Sequence, residues 1–402
     1  MPRSLSILSR SVVTLPPAGI VLAALVLLQP LLLPGSTQAQ QTGDPVVEVR
    51  DGVRYIHNRS PRWGDHPQVR LEFVRRIGDL ETADEHFLLF RPSDVVRDAE
   101  GNLYVLDSGN HRIQKYGPDG TWQATLTGQG AGPGEVNSPF SLNLAPDGNL
   151  HVCDLGNQRV QVFTTAGDPV RSIRMGLEGG KRFTNFRMRS TGEYLARTAP
   201  AMYPNEDVAA VPLLLVFDTE CMPTRNVGVG RLEDYGDFAT TVFMSVHTFD
   251  RDEQDNLYLD YAYQNRIEKY APEGRLLWQA DRPLEFRVEM SPQSIEEVVH
   301  VSNGAAVDGR GRLWVLTATR IPTMEELEAQ EETSELQSMI EIFDGDGTLL
   351  GRLTDQAFAH IPIIPPVATP AMGVIRIFDD RLYLVDMLGR MCVFEYRIVE
   401  GG

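Results

Sequence analysis

The chain reads Gly101-Asn-Leu-Tyr-Val-Leu-Asp107 and then Gly109-Asn-His-Arg-Ile-Gln-Lys-Tyr116. A second copy begins 47 residues later, with Gly148-Asn-Leu-His-Val-Cys-Asp154 and then Gly156-Asn-Gln-Arg-Val-Gln-Val-Phe163. A period of this length is typical of the blades of a propeller. Short apolar or alternating runs in each copy are separated by Asp-Gly or Gly-Asn turns, which is the pattern of an antiparallel meander. Residues 91–173 therefore predict two four-stranded antiparallel sheets.

The same pattern recurs in four further units, of which the first is the weakest. These units cover residues 183–218, 245–280, 304–353 and 373–396. The last unit lacks a fourth strand, whereas an isolated alternating run, Val69–Ile77, precedes the first unit. Pairing this run with the last unit closes a ring and removes two open sheet edges, whereas an open solenoid would leave both features unexplained. The sequence therefore predicts an all-β fold: a six-bladed β-propeller of four-stranded antiparallel blades over residues 69–400, closed by an N-terminal strand that completes the last blade.

Three segments of the chain resemble the NHL-repeat family of β-propellers, in its exported bacterial form. They are Gly109–Tyr116, Gly156–Phe163 and Asn265–Tyr270, and the Gly-Asn-Leu-Tyr-Val phrase before the first of them belongs to the same signature. The resemblance covers roughly residues 69–397 and implies the propeller fold. It leaves the function open, because such propellers include ligand binders, scaffolds, lyases and lactonases.

The N-terminal region has the pattern of a secretory signal peptide over residues 1–39. Arg3 and Arg10 give it a basic start, Ile20–Leu33 form an apolar run, and Thr37-Gln-Ala39 matches a cleavage site. A retained membrane anchor is the alternative, but the apolar run is short for a span and two prolines interrupt it. We expect cleavage, no stable membrane span afterwards, and an N-terminal extension over residues 40–68.

The charge of the chain restricts the partners that it can have. Residues 1–39 contain two arginines and no acidic residue, so the remaining chain has 35 basic and 55 acidic side chains and a charge of −20. Such a surface repels nucleic acid and anionic membranes. The three cysteines are too few for a disulfide framework, and Cys153 and Cys392 lie in strand patterns that predict burial. We expect a monomer in the periplasm or outside the cell.

The long connections all fall on one face of the predicted ring, which we call the long-loop face. This face carries the connections between second and third strands and those between blades: residues 127–138, 197–212, 226–244, 281–301, 318–337 and 354–371. Long loops on a rigid scaffold commonly build a binding site. We therefore predict that a protein, peptide or glycan ligand binds this face without being transformed. The candidate ligand-binding residues are Tyr203, Asp207, Phe238, His247 and Arg320.

A metal-dependent lyase or lactonase at the central channel is the alternative function. His247, His300 and His360 could together hold a Zn ion with a free position for water. The NHL-type amidating lyases use Zn held by His, but their Tyr-Cys-Asn phrase is replaced in this chain by Asp107-Ser-Gly-Asn110. Gluconolactonase-like propellers hold a divalent ion with Glu, Asn and Asp, so that resemblance implies a metal in the channel. Ca or Zn is the cofactor that this alternative requires, and no cofactor is otherwise predicted.

Two sets of polar residues have structural as well as functional interpretations. The polar residues of the predicted innermost strands could hold a metal or simply hydrate the channel; they are Ser93, Asp94, Ser141, Asn143, Asn185 and His247. The recurring Arg and Asp residues are interpreted as blade-stabilising pairs; they are Arg112, Arg159, Arg266, Asp107, Asp154, Asp260 and Asp386. A scaffold without any small ligand is a third hypothesis.

Overall fold

The computed structural model describes residues 44–175, 183–198, 210–231, 238–289, 298–321, 338–354 and 374–401. Within these ranges the chain forms 28 strands, one α-helix at Phe238–Met244 and one 3₁₀ turn at Ser108–Asn110. Most strands belong to six antiparallel sheets, numbered blades 1 to 6, whose innermost strands contact one another around a central channel. The six-bladed propeller predicted from the sequence is confirmed.

Each blade contains four strands, which follow one another from the innermost to the outermost. Blades 1 and 2 contain Pro92–Arg97, Leu103–Asp107, Arg112–Tyr116 and Trp122–Thr125, then Pro139–Leu144, Leu150–Asp154, Arg159–Phe163 and Pro169–Arg174. Blades 3 and 4 contain Phe183–Met188, Tyr194–Thr198, Ala210–Phe217 and Pro223–Arg231, then His247–Arg251, Leu257–Tyr261, Ile267–Tyr270 and Leu276–Asp281. Blades 5 and 6 contain Ser302–Val307, Leu313–Ala318, Ser338–Phe343 and Leu349–Leu353, then Val374–Phe378, Arg381–Asp386, Cys392–Glu400 and Val69–Ile77. A short parallel bridge joins Gly128–Gln129 to Glu135–Val136.

The first strand of the propeller closes the ring, as predicted. Val69–Ile77 pairs antiparallel with Cys392–Glu400, in a register that runs from Val69 opposite Glu400 to Ile77 opposite Val393. Arg75 strengthens this pairing because its Nε donates to Glu395 at 2.5 Å across the two strands. Blade 6 is therefore assembled from both ends of the propeller, and no free edge remains between them.

The blades pack face to face through apolar side chains. Second strands such as Leu103–Asp107 and Leu313–Ala318 are buried along their whole length, which explains their nearly continuous apolar sequence. One core cluster combines Leu106 of blade 1 with Val152 of blade 2, so adjacent sheets share each layer of core. Burial of one such side chain contributes about 1.5–3 kcal/mol to stability. The three cysteines are buried, as the strand patterns of Cys153 and Cys392 predicted.

The N-terminal extension forms a strap along the outside of three blades. Val46–Arg50 and Val53–His57 make a hairpin whose second strand pairs in parallel with the outermost strand of blade 4. The chain then crosses the edge of blade 5, where the Asn58 side chain donates to Gly347 O at 3.0 Å and accepts from Leu349 N at 2.8 Å. It next enters the closing strand of blade 6. The strap therefore ties blades 4, 5 and 6 together from outside.

Polar side chains join the innermost strands from blade to blade. Asp94 of blade 1 accepts hydrogen bonds from Nε of Arg376 in blade 6 at 2.8 Å and from Leu142 N in blade 2 at 3.0 Å. The Asn143 amide of blade 2 donates to Phe186 O of blade 3 at 2.9 Å. These contacts give two of the polar channel residues a structural role.

We expect Asp94→Asn to destabilise the fold by about 3 kcal/mol or more, because it leaves the buried Arg376 guanidinium without its counter-charge. Urea unfolding followed by tryptophan fluorescence measures this change. The matched control is Asp379→Asn, since Asp379 also pairs with an arginine, at 2.6 Å, but its side chain is 77% exposed. The control should change the free energy of unfolding by no more than about 1 kcal/mol. Equal effects of the two changes would contradict the role assigned to Asp94.

Candidate functional site

The two faces of the ring differ in the connections that they carry. Innermost strands begin, and second strands end, at the long-loop face, where His247 starts the innermost strand of blade 4. Arg320 follows the second strand of blade 5 on the same face, and Phe238 begins the helix that precedes blade 4. Tyr203 and Asp207 lie outside the described residues. The structure thus places three of the five predicted ligand-binding residues on one face, and their role in binding stays a prediction.

His247 is held as a neutral imidazole. Its side chain is buried, and its Nδ1 lies 2.8 Å from Ser245 O, so Nδ1 carries the proton and donates it to this carbonyl. Burial, together with the positive charge of Arg197, lowers the pKa of His247 to about 3. The Nε2 atom has no hydrogen-bond partner within the described ranges. Nε2 is itself buried, so its lone pair is unused within the described part of the chain.

Arg197 is a buried cation at the end of the second strand of blade 3. Its Nη1 donates to His247 O at 3.0 Å, whereas its Nε has no partner in the part of the chain that the structure describes. Burial lowers the pKa of Arg197 to about 10, and the nearby Tyr263 opposes this shift, so the guanidinium keeps its charge at neutral pH. No described carboxylate forms an ion pair with it. A buried charge without a counter-charge is costly, and it favours an anionic or strongly accepting ligand.

Further open hydrogen-bonding atoms surround this pair. Together with Arg197 and His247 they define the blade 3–5 polar cluster, whose other members are Ser245, Gln264, His300 and Asn303. Each of these is buried and has a side-chain oxygen or nitrogen that lacks a described partner. His300 packs edge-on against Tyr263 with ring centroids 5.5 Å apart, and burial lowers its pKa to about 4. Buried polar atoms are nearly always paired in folded proteins, so a group of open ones indicates a ligand site.

Of the residues in this cluster, only His247 and His300 were predicted from the sequence as candidate site residues. Arg197 lies in the strand phrase Tyr194-Leu-Ala-Arg-Thr198, where an arginine interrupts a buried apolar pattern. That interruption is the signal that could have identified it. Gln264 and Asn303 have no comparable signal, because their proximity arises only when blades 4 and 5 pack together.

The recurring Asp and Arg residues fix the loops of the long-loop face. In blade 1, Arg112 Nε donates to Asp107 at 2.7 Å, and Asp107 also accepts from the Phe90 N–H of the incoming connection at 2.7 Å. Blade 2 repeats the pair with Arg159 and Asp154 at 2.7 Å. The predicted structural role is therefore confirmed in these two blades.

Blade 4 departs from this pattern. Its Arg266 bonds Glu268, and Asp260 pairs with Arg282 at 3.2 Å, so both residues keep a structural role but do not bond each other. Burial raises the pKa of Asp260 to about 6, although Arg282 opposes this shift. The repeat signature thus predicts the residue types but not the partners in this blade.

The residues present give little support to a metal site. His247 has the tautomer that metal-binding histidines commonly adopt, with Nδ1–H on a carbonyl and Nε2 free. Within the described ranges, however, no three His, Cys, Asp or Glu residues are arranged to hold a metal ion. His360 lies outside those ranges. The described residues therefore do not fit the Zn or Ca site that the alternative function requires.

Comparisons with known proteins agree on the architecture. The NHL repeat model matches residues 91–116, and the resemblance to NHL-repeat propellers is confirmed. No curated protein matches the sequence. The fold is similar to a DUF4221-family protein from Bacteroides vulgatus, with a TM-score of 0.54, 10% identity, and coverage of 83% of this chain and 99% of the other.

Two further solved structures are similar. A putative exported protein from Bacteroides fragilis has a TM-score of 0.52 at 11% identity, over 87% of this chain and all of the other (100%). A gluconolactonase from Xanthomonas campestris has a TM-score of 0.48 at 14% identity, over 83% and 95%. The two likenesses with TM-scores above 0.5 concern the fold alone and carry no argument about substrate. No helix among the described residues is long and apolar enough to cross a bilayer.

The buried state of His247 predicts a pH-dependent stability. Its pKa is about 3 in the folded chain and about 6.5 in the unfolded chain. Between pH 6.5 and pH 3 the unfolded chain therefore binds a proton that the folded chain does not. The stability of the fold decreases as the pH is lowered through this range. In His247→Gln we expect the difference in unfolding free energy between pH 7 and pH 5 to be smaller by about 2 kcal/mol. Urea titrations at both pH values measure it, and His66→Gln, at an exposed position, is the control. An unchanged pH dependence in His247→Gln would show that His247 is not buried as a neutral group.

Proposed function

We propose that this protein is an exported, monomeric binding protein that holds a peptide segment of a partner on its long-loop face and does not transform it. The observation that carries the proposal is the blade 3–5 polar cluster. Its open atoms include a guanidinium donor, the Arg197 Nε, and acceptors such as the His247 Nε2 and the Gln264 Oε1. A peptide supplies both carbonyl acceptors and N–H donors to such a surface.

Exposed apolar residues on the same face favour a peptide over a glycan. Leu80, Leu88 and Phe90 lie in the connection from blade 6 to blade 1, Leu388 lies in the turn after the second strand of blade 6, and all four are 41–48% exposed. Exposed apolar groups of this kind are typical of protein-binding surfaces. A glycan presents hydroxyl groups throughout and gains less from aliphatic contacts.

Location outside the cytoplasm belongs to the same proposal. The signal-peptide pattern of residues 1–39 supports it, and so does the charge of −20 that remains without them. An acidic surface keeps such a protein away from anionic membranes. We expect the periplasm or the medium as its location.

A peptide library displayed on phage and selected against the purified protein tests this proposal. Selected peptides should bind Arg197→Met at least about tenfold more weakly, because the buried cation that pairs with the peptide is lost. Arg171→Met is the control, since Arg171 lies on the outermost strand of blade 2 and pairs with Glu220 in the turn after the third strand of blade 3. Phe90→Ser, at an exposed position, provides a second variant that leaves the core intact. Full binding of the selected peptides by both Arg197→Met and Phe90→Ser would refute the proposed site. If the protein bound glycans on a glycan array and selected no peptide, the ligand would be a glycan instead of a peptide.

The metal-dependent lyase or lactonase is the second candidate, and the free Nε2 of His247 is the observation that favours it. Elemental mass spectrometry of the purified protein decides between the two. The binding proposal predicts no stoichiometric Zn or Ca. One equivalent of metal that is lost in His247→Ala, together with lactone hydrolysis, would establish the enzyme instead.

A further inference from the structure

The central channel opens on the opposite face into a pocket that the long-loop site does not include. The pocket has a volume of about 310 Å³ and is lined by the ends of the innermost strands, at the face that carries the short turns. Its volume lies at the lower end of the range of about 300–1,000 Å³ for small-molecule sites. Every residue that lines it is among those the structure describes.

The floor of the pocket contains a cation with unused hydrogen-bonding capacity. Arg187 is 8% exposed, and its Nη1 donates to Asn185 Oδ1 at 2.9 Å and to Phe186 O at 3.0 Å. Its Nε has no partner among the described residues, since the nearest carboxylate, Asp250 Oδ1, is 3.7 Å away. The other oxygen of Asp250 accepts the Val307 N–H at 2.9 Å. The charge of Arg187 is therefore only loosely compensated.

A second guanidinium on the floor is fully engaged and provides a contrast. Arg376 directs Nε and Nη2 to Asp94 at 2.8 Å and 2.7 Å, in the arrangement that joins blades 6 and 1. Arg187 has no such bidentate partner. Of these two guanidinium groups in the pocket, Arg187 is the one with an open donor, and a guanidinium in this state favours a carboxylate.

The walls and the rim of the pocket have a different character from the floor. Met188 and Phe378 contribute apolar surface to the lining. At the rim, Glu253 is exposed and forms no ion pair with any described residue, whereas Asp379 is paired with Arg97 at 2.6 Å. Glu253 lies two residues beyond Arg251, the end of the innermost strand of blade 4, in the turn that follows this strand. The pocket thus runs from a cationic floor past apolar walls to an anionic rim.

We propose that this pocket binds a short zwitterion, such as a dipeptide or an ω-amino acid, in which a carboxylate and an ammonium group are separated by an apolar stretch. The carboxylate lies against Arg187, the apolar stretch packs on Met188 and Phe378, and the ammonium group faces Glu253. The inference is independent of the long-loop face.

Isothermal titration calorimetry of the purified protein with ε-aminocaproate and with the dipeptide Ala-Leu tests this inference. At least one of them should bind, and caproate or hexylamine, which each lack one charge, should bind at least about tenfold more weakly than ε-aminocaproate. Glu253→Gln, at an exposed position, should weaken binding of the zwitterion while leaving caproate unaffected. Arg187→Met should abolish both.

The matched control is Glu100→Gln, because Glu100 lies in the equivalent short turn of blade 1 but does not line the pocket. This change should leave binding of the zwitterion as it is. Absence of binding by both zwitterions at millimolar concentration would overturn the inference. So would caproate binding that equals ε-aminocaproate binding, or an equal loss of binding in Glu100→Gln and Glu253→Gln.

Discussion

The pairing of Val69–Ile77 with Cys392–Glu400 is the contact on which the rest of the molecule depends. Each of the other blades is formed from four strands that are consecutive in the chain. Blade 6 needs the two ends of the propeller to meet, so its formation carries the entropy of closing a loop of more than 300 residues. Once it forms, blade 6 has all four of its strands, and the six innermost strands are held around one channel. Both candidate sites lie at the ends of that channel.

The two ends of the channel differ in how their polar groups are satisfied. Near the short-turn face, Asp94, Arg376 and Asn143 bond across blade boundaries and leave Arg187 as the loosely compensated group. At the long-loop face, the blade 3–5 polar cluster keeps several atoms open among the described residues. Buried polar groups that serve only the structure are normally paired. Unpaired buried groups are therefore candidates for binding a ligand. Arg197 and Arg187 meet this criterion although neither belongs to the repeat signature, and the Nε atoms of Arg189, Arg225 and Arg282 meet it as well.

The sequence predicted the fold because its signals are local. Asp-Gly and Gly-Asn turns, strand alternation and a period of 47 residues mark each blade, and the missing fourth strand of the last unit leaves only one way to use Val69–Ile77. The strap was harder to predict, since Val53–His57 pairs with Leu276–Asp281 more than 200 residues away. Nothing in its own sequence specifies that partner. Polar clusters are harder still, because they combine residues from blades whose spacing along the chain follows no rule.

The two sites also explain why a shared fold says little about the function of this chain. One propeller fold can host many unrelated functions, so the function of a chain depends on its own site residues. In this chain the arginines that distinguish the channel lie at strand ends and strand centres, where the ring holds them rigidly. Ring closure fixes the positions of these few buried side chains, so any function that they serve depends on ring closure.

Hydrogen exchange followed by mass spectrometry tests ring closure most directly. If the closing strand holds the ring, the amides of Val69–Ile77 that pair with Cys392–Glu400 will exchange as slowly as those of the buried strand Leu103–Asp107, because both are released only by global unfolding. Rapid exchange of the closing strand, while the buried strand stays protected, would mean that blade 6 opens independently. That result would contradict the dependence of the ring, and of both candidate sites, on this pairing.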